Sequence, residues 1–294
     1  MILTVDIGGT KMAAARYATD LQEVARVPTG RDPWTALTEL LDPLAGGVEA
    51  IGVGCGGPMH WPDGVVSPIN IPAWRDFPLR DRLAERYGLP VRLHNDAVCM
   101  AIGEHWRGGW GTDDLLGIVV STGIGGGLVL SGRVVDGATG NAGHVGHVVV
   151  DPAGPPCGCG GRGCLEAVAR GPAVVAWAVE HGSAARDGVE LAALAARGDA
   201  VALQAFARAG RALGVGIASA AALLDVRAVA IGGGLSQAPS LWPTLRRTLA
   251  EHGRMAFLKG LSIGPARLGQ EAGLVGAAAL FEDRYWSPVG DSRP

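Results

Sequence analysis

Four side chains in one stretch of this chain have the types and spacing of a metal site. The segment NAGHVGHVVVDPAGPPCGCGGRGC, residues 141–164, holds three of the five cysteines and two of the seven histidines. His147, Cys157, Cys159 and Cys164 follow the spacing H-x9-C-x-C-x4-C, which offers one imidazole and three thiols. That is a ligand set for tetrahedral zinc, and four protein ligands make a closed structural site with no open position to activate water. The alternative is three free cysteines in a glycine-rich loop; their clustering and a reducing compartment favour thiolates on a metal. His144 falls outside this set.

A second constellation has acid–base chemistry. Asn95 and Asp96, in VRLHNDAVC, sit where a strand ends and a helix begins, a place where loops over a sheet present side chains to ligands. The dipeptide alone favours helix capping, because Asn and Asp are preferred N-caps. What tips the balance is the pair of glycine turns elsewhere in the chain. A phosphoryl donor requires an acceptor and a carboxylate to take the hydroxyl proton, and Asp96 is the candidate base. Asp6, just before the first turn, is a candidate to hold Mg²⁺ through its hydration shell.

Those turns belong to a duplicated element. ILTVDIGGTKMAAARY (2–17) and LLGIVVSTGIGGGLVLSG (115–132) each read as a β-rich run, a Gly/Thr turn and a second β-like run. Consecutive N–H groups in such turns form a concavity for phosphate oxygens, and two of them suit one nucleotide. Each turn returns as strand, whereas P-loop and dinucleotide motifs run from the glycines into a helix, so those readings lose weight. A third turn, AVAIGGGLSQ (228–237), runs from a strand through Gly232, Gly233 and Gly234 toward a helix expected to start at Ser236, which suits an adenosine or α-phosphate contact.

The elements around these motifs are α/β. Helices are expected over LRDRLAERYG, over AVCMAIGEHW after the strand PVRLHND, and through the Ala-rich run 189–224, whose apolar face reads as core. The glycines and tryptophans of WRGGWGTDD (106–114) interrupt the periodicity and mark a boundary. This gives a small N-terminal domain, 1–108, and a larger one, 109–275, carrying the zinc loop 141–166. A terminal helix over about 276–290 is expected to pack back on the first.

With 48% hydrophobic and 18% charged residues the chain is globular and not disordered. A net charge of -3 with no Lys/Arg run gives no footprint for nucleic acid, so small-molecule chemistry is expected. The N-terminus lacks a basic n-region, and the apolar run Leu213 to Leu224 is too short to span a bilayer, so a cytoplasmic protein without membrane partners is expected.

Taken together, DIGGTK (6–11), GVGCGGP (52–58), PIN (68–70), HNDA (94–97), STGIGGG (121–127), AGHVGH (142–147), CGCGGRGCLEA (157–167) and IGGG (231–234) resemble the ROK family of sugar kinases, which also includes transcriptional repressors. The resemblance implies an actin-like ATPase fold, a duplicated ribonuclease H-like pair of domains with ATP and sugar in the cleft between them. It also implies γ-phosphate transfer to a sugar hydroxyl, usually O6, and a homodimer. On it, Asp96 matches the catalytic base, and Asn70, Asn95, His147 and Glu166 match sugar-side positions. Asp6, Gly8, Gly9, Thr10 and Lys11 match the first phosphate segment, and Thr122, Gly123, Gly125 and Gly126 fall in the second. Gly232, Gly233 and Gly234 match the nucleotide-proximal turn. The family's zinc site falls on His147, Cys157, Cys159 and Cys164.

Two positions depart from the pattern. His144 stands where glucokinases of the family usually carry Glu, and an imidazole offers one donor and one acceptor in place of several lone pairs. Some members, including bacterial N-acetylmannosamine kinases, read AGHxGH, so an N-acylated hexosamine joins glucose as an expected substrate with His144 among its contacts. Gly56 stands where the family often has proline, leaving room beside the sugar. Alternatives are a kinase for a sugar-like cyclitol and a non-catalytic sugar-sensing member without a DNA-binding domain. The first phosphate strand begins at Ile2, so no such domain is expected ahead of it.

Overall fold

An antiparallel ribbon followed by two parallel strands is built twice along the chain. The computed structural model describes residues 1–286. The first ribbon comprises β1 (Ile2–Ile7), β2 (Lys11–Tyr17) and β3 (Leu21–Pro28). Helix α1 (Pro33–Leu41) leads to β4 (Ala50–Cys55), and the short strands β5 (Met59–His60) and β6 (Val65–Val66) form a separate hairpin. Helix α2 (Leu79–Tyr87), strand β7 (Val91–Asn95) and helix α3 (Asp96–Arg107) follow. The strand order is β3-β2-β1-β4-β7, with β4 parallel to β1 and β7 parallel to β4.

The second sheet repeats this plan. It contains β8 (Leu115–Val120), β9 (Ile124–Leu130) and β10 (Arg133–Val134). After helices α4 (Leu165–Ala169), α5 (Gly171–Glu180), α6 (Gly188–Ala196) and α7 (Ala200–Leu224) comes β11 (Ala228–Gly232). Helix α8 (Trp242–His252), β12 (Ser262–Pro265) and α9 (Ala272–Ala279) complete the described chain. The order is β10-β9-β8-β11-β12, so the segments 2–17 and 115–132 open the two sheets.

Contacts divide the chain into two compact units. Among the described residues, one holds Met1–Asp113, Gly127–Gly143 and 270–286; the other holds Asp114–Gly126 and His144–Gly269. In the stretch 276–290, α9 ends at Ala279, Asp283–Tyr285 forms a 3₁₀ turn, and residues 287–290 lie outside the described residues.

Strand alternation gives the first sheet two unlike faces. Leu3, Val5 and Ile7 of β1 join Ile51, Val53 and Cys55 of β4 in a core with Leu37, Leu41, Leu79 and Leu83 of α1 and α2. On the other face, β4 presents Gly52 and Gly54. A methyl group at Gly52 would lie 2.0 Å from the Ala277 carbonyl oxygen, and one at Gly54 would lie 3.3 Å from Cys99 Sγ. The helices α9 and α3 therefore lie close upon the strand. They also meet each other backbone to backbone, since a methyl at Gly276 would lie 1.7 Å from the Cys99 carbonyl oxygen and one at Gly103 would lie 2.2 Å from that of Ala272. Each mid-helix glycine costs about 1 kcal/mol against alanine, and this close approach is what it permits.

Three local expectations are corrected. The Ala-rich run is two helices, because Gly198 takes φ +87° and Asp199 then caps α7 by accepting from Ala202 N at 2.8 Å. No α-helix starts at Ser236. Residues 234–237 form a 3₁₀ turn, and the helix waits until Trp242, because Pro239 keeps Ala238 extended. The helix that carries the apolar run Leu213 to Leu224 begins earlier, at Ala200. The 25-residue α7 is long and apolar enough to cross a membrane, yet it is mostly buried and packs on α4, α5, α6 and α8, as a core helix does.

Candidate active site and metal centre

The first glycine turn joins β1 to β2. Gly8 N donates to the Lys11 carbonyl at 3.0 Å, and Thr29 Oγ1 donates to the Gly8 carbonyl at 2.7 Å, which pins the turn from outside. Gly9 must be glycine, because a methyl there would lie 2.3 Å from Asn70 Cβ. The structure thus brings exposed Asn70 against the turn that carries Thr10. Lys11 already belongs to β2, where its ammonium donates to Gln270 Oε1 at 3.1 Å.

Beside this turn lie two carboxylates. Asp6, next to last in β1, pairs across the sheet with Gly54 of β4 and faces α9, where a methyl at Gly273 would lie 3.0 Å from Asp6 Oδ2. Nothing in the sequence pointed to Gly273, which is distant along the chain and lacks a side chain. Asp96 opens α3. Its Oδ1 accepts from Ala97 N at 2.8 Å, and Asn95 Oδ1 accepts from the same N–H at 3.0 Å, so the capping reading holds for Asn95. Gly56 leaves space beside Asp96, since a methyl there would stand 3.8 Å from Oδ2.

Burial is the main cause of both carboxylates' altered acidity. It pushes Asp6 up to about 7; the charge of Asp96 adds to this and that of Lys11 opposes it. Asp96 is also raised by burial, although backbone N–H groups partly offset the rise. The thiols of Cys55 and Cys99 lie in the same buried region, and desolvation together with the two aspartates holds them far above the usual thiol range. They are inert packing groups.

In the second unit, the turn between β8 and β9 is Ser121–Gly123, and Gly125 and Gly126 lie within β9 instead of the turn. Ser121 N donates to the Gly123 carbonyl at 2.9 Å, and Gly171 N donates to the Ser121 carbonyl at 2.8 Å. Thr122 is exposed. Glu166, in the first turn of α4, accepts from Ile124 N at 2.8 Å, so it holds the end of this turn, a contact its motif did not suggest. After β11, Gly233 takes φ +87° with its Cα against Val120, where a methyl would lie 2.3 Å from the carbonyl oxygen. Gly234 is exposed.

The four metal candidates converge. One ligand atom from each of His147, Cys157, Cys159 and Cys164 lies within 4.8 Å of all the others. Cys157 Sγ is 3.8 Å from His147 Nδ1, and Cys159 Sγ is 3.7 Å from Cys164 Sγ. Bond lengths to zinc of about 2.3 Å for sulfur and about 2.0 Å for nitrogen give tetrahedral edges of roughly 3.5–3.8 Å, so the donor set fits that ion. The His144 ring lies 6.3 Å from that of His147 and nearly parallel to it, outside the set.

Raised acidity at Asp6 has a definite sign. Its folded pKa of about 7 exceeds the ordinary 3.8, so the native state binds more protons than the unfolded chain across that window. The contribution of Asp6 to stability therefore falls as pH rises from about 4 to 7 and levels off above. Asp6→Asn is expected to flatten this component and raise the ligand-free melting temperature near neutrality. Melting curves across that range check it, and parallel curves for the two proteins would contradict it.

Comparison with known proteins follows the same lines. The model of the ROK family matches residues 2–284. The chain is 34% identical to a glucokinase of Thermotoga maritima over 310 aligned residues, covering 96% of this chain and 98% of that protein. It is 35% identical to an N-acetylmannosamine kinase of Citrobacter koseri, covering 95% and 98%. Its structure is similar to that of a ROK family glucokinase from Streptomyces griseus in complex with glucose and AMPPNP, with a TM-score of 0.84, 33% identity and coverage of 95% and 98%. The chain belongs to the ROK family and has its actin-like ATPase fold.

Proposed function

We propose that this protein transfers the γ-phosphoryl group of ATP to a sugar hydroxyl, with O6 of a hexose or an N-acylated hexosamine as acceptor. The observation that carries this reading is the placement of Asp96. A carboxylate of raised basicity stands at the start of a helix, with open space at Gly56, in the same unit as a glycine turn and a second carboxylate. The similarity to a glucokinase and an N-acetylmannosamine kinase over nearly the whole chain supports the same chemistry.

In this reading Asp96 takes the proton of the attacking hydroxyl as its oxygen bonds to the γ-phosphorus, and the bond from that phosphorus to the β-bridging oxygen breaks to release ADP. Ala97 N–H holds Oδ1, which orients the carboxylate before the sugar arrives. Gly8, Gly9, Thr10 and Lys11, with Thr122 and Gly123, bind phosphate oxygens, and Gly232–Gly234 contact the nucleotide. Gly125 and Gly126 assist through the strand that supports the second turn. Asn70, Asn95, His144, His147 and Glu166 are the sugar contacts. Mg²⁺ held through its hydration shell by Asp6 would neutralise phosphate charge, and the destabilised carboxylate pair suits a cation there.

Zinc on His147, Cys157, Cys159 and Cys164 would brace the loop leading to Glu166, two residues past the last ligand. Among the described residues every cysteine is free of disulfides, which suits thiolate ligands. The homodimer rests on family membership.

A coupled ADP-release assay with Mg-ATP against glucose, mannose, N-acetylglucosamine, N-acetylmannosamine, fructose and a C7-cyclitol tests the reading, and turnover on none would contradict it. Asp96→Asn is expected to lower turnover by about a hundredfold or more, with nucleotide binding retained, as loss of a general base requires. Full turnover would remove Asp96 from that role. Elemental analysis of protein prepared without chelator is expected to give about one zinc per chain. Its absence would overturn the assignment of the loop.

A further inference from the structure

His94 precedes Asn95 and Asp96 at the end of β7, and its side chain is 1% exposed. Both ring nitrogens are engaged. Nδ1 accepts the backbone N–H of Asn95 at 2.7 Å, and Nε2 lies 3.0 Å from Asp136 Oδ1, whose side chain is 10% exposed. A ring nitrogen that accepts an N–H carries no proton, so the proton resides on Nε2 and is donated to the Asp136 carboxylate. The indole of Trp61, itself buried, lies 5.3 Å from the imidazole between ring centres. Gly140 closes on that indole, where a methyl group would stand 2.5 Å from Trp61 Cβ. Asp136 also anchors its own loop, since its carbonyl accepts from Ala142 N at 3.0 Å.

We propose that His94 and Asp136 form a positioning pair that fixes the backbone at Asn95 and through it the Asp96 carboxylate. The bonds run in sequence. Asp136 sets the tautomer of His94, whose Nδ1 holds Asn95 N–H. The Asn95 side chain and the Asp96 carboxylate then share Ala97 N–H. At this point the strand stops and the helix begins, so the amide of Asn95 is met by the imidazole of the residue before it. A carboxylate on a charge-assisted bond is a strong orienter of imidazole, and its loss lets the ring take the other tautomer, which opposes a donor to the Asn95 donor. The pair touches no reacting atom in this account. The proposal rests on the reading of Asp96 as the base.

Three variants of the full chain test it. His94→Leu removes both bonds, His94→Asn keeps an acceptor near the Nδ1 position, and Asp136→Asn keeps the shape of the anchor without its charge. Turnover of His94→Leu and Asp136→Asn is expected to fall about tenfold, with KM for ATP within about twofold of the parent, as a misaligned base requires. His94→Asn is expected to recover most of the loss. Parent-like turnover in His94→Leu and Asp136→Asn overturns the proposal, and so does a loss carried by KM alone. If His94→Leu does not fold, ¹⁵N NMR of the imidazole decides. The expected spectrum has a protonated Nε2 and a bare Nδ1 in the parent and is altered in Asp136→Asn; a protonated Nδ1 in the parent overturns the proposal. This readout needs no turnover, so a parent inactive on every sugar would defeat the kinase reading while the spectrum still judges the pair.

Discussion

Two carboxylates held near each other where water is scarce set the terms for the rest of the first unit. An ionised group in such a place is disfavoured by lost hydration and by its like-charged neighbour, and Asp6 shows both effects. A fold selected only for stability would avoid this arrangement, because a desolvated charge without a full partner is among the costlier features a protein can carry. Lys11 offsets it in part. The remainder is relieved by protonation, and in the proposed function a cation beside Asp6 would relieve it as well.

The packing that holds the pair is made of glycine. Asp6 is next to last in β1, Asp96 begins α3, and the first turn of α9 lies against Asp6. Gly52 and Gly54 let both helices reach the sheet, and Gly103 and Gly276 let the helices reach each other. An alanine at Gly276 or Gly103 would force the two backbones apart and move Asp96, at the start of α3, with them. The small residues of α3, α9 and β4 therefore set where the two carboxylates stand. The proposed His94 and Asp136 pair would add a polar constraint through the Asn95 backbone.

Much of this was legible in the chain. The two β-turn-β segments announced a duplicated sheet, because alternating apolar residues around a Gly/Thr turn specify a hairpin. The spacing of His147, Cys157, Cys159 and Cys164 announced a common centre, and the structure brings those four side chains together. Other features were hidden for physical reasons. Gly273 has no side chain and acts through a contact formed only by folding. Glu166 looks like a ligand contact in its motif, while its bond to Ile124 N depends on where α4 docks. Alanine periodicity cannot show that Gly198 and Asp199 interrupt a helix, since both residues also occur within helices and only the local φ decides.

The most direct test is a calorimetric titration of Mg-ATP into the protein at about pH 7 in two buffers of different ionisation enthalpy. If the desolvated pair is relieved by the incoming cation, Asp6 gives up its proton on binding, so the observed heats differ between buffers in the sense of proton release. Asp6→Asn should abolish that difference. Equal heats in both buffers for the parent protein, with Mg-ATP bound, would contradict the account of the carboxylate pair on which the rest depends.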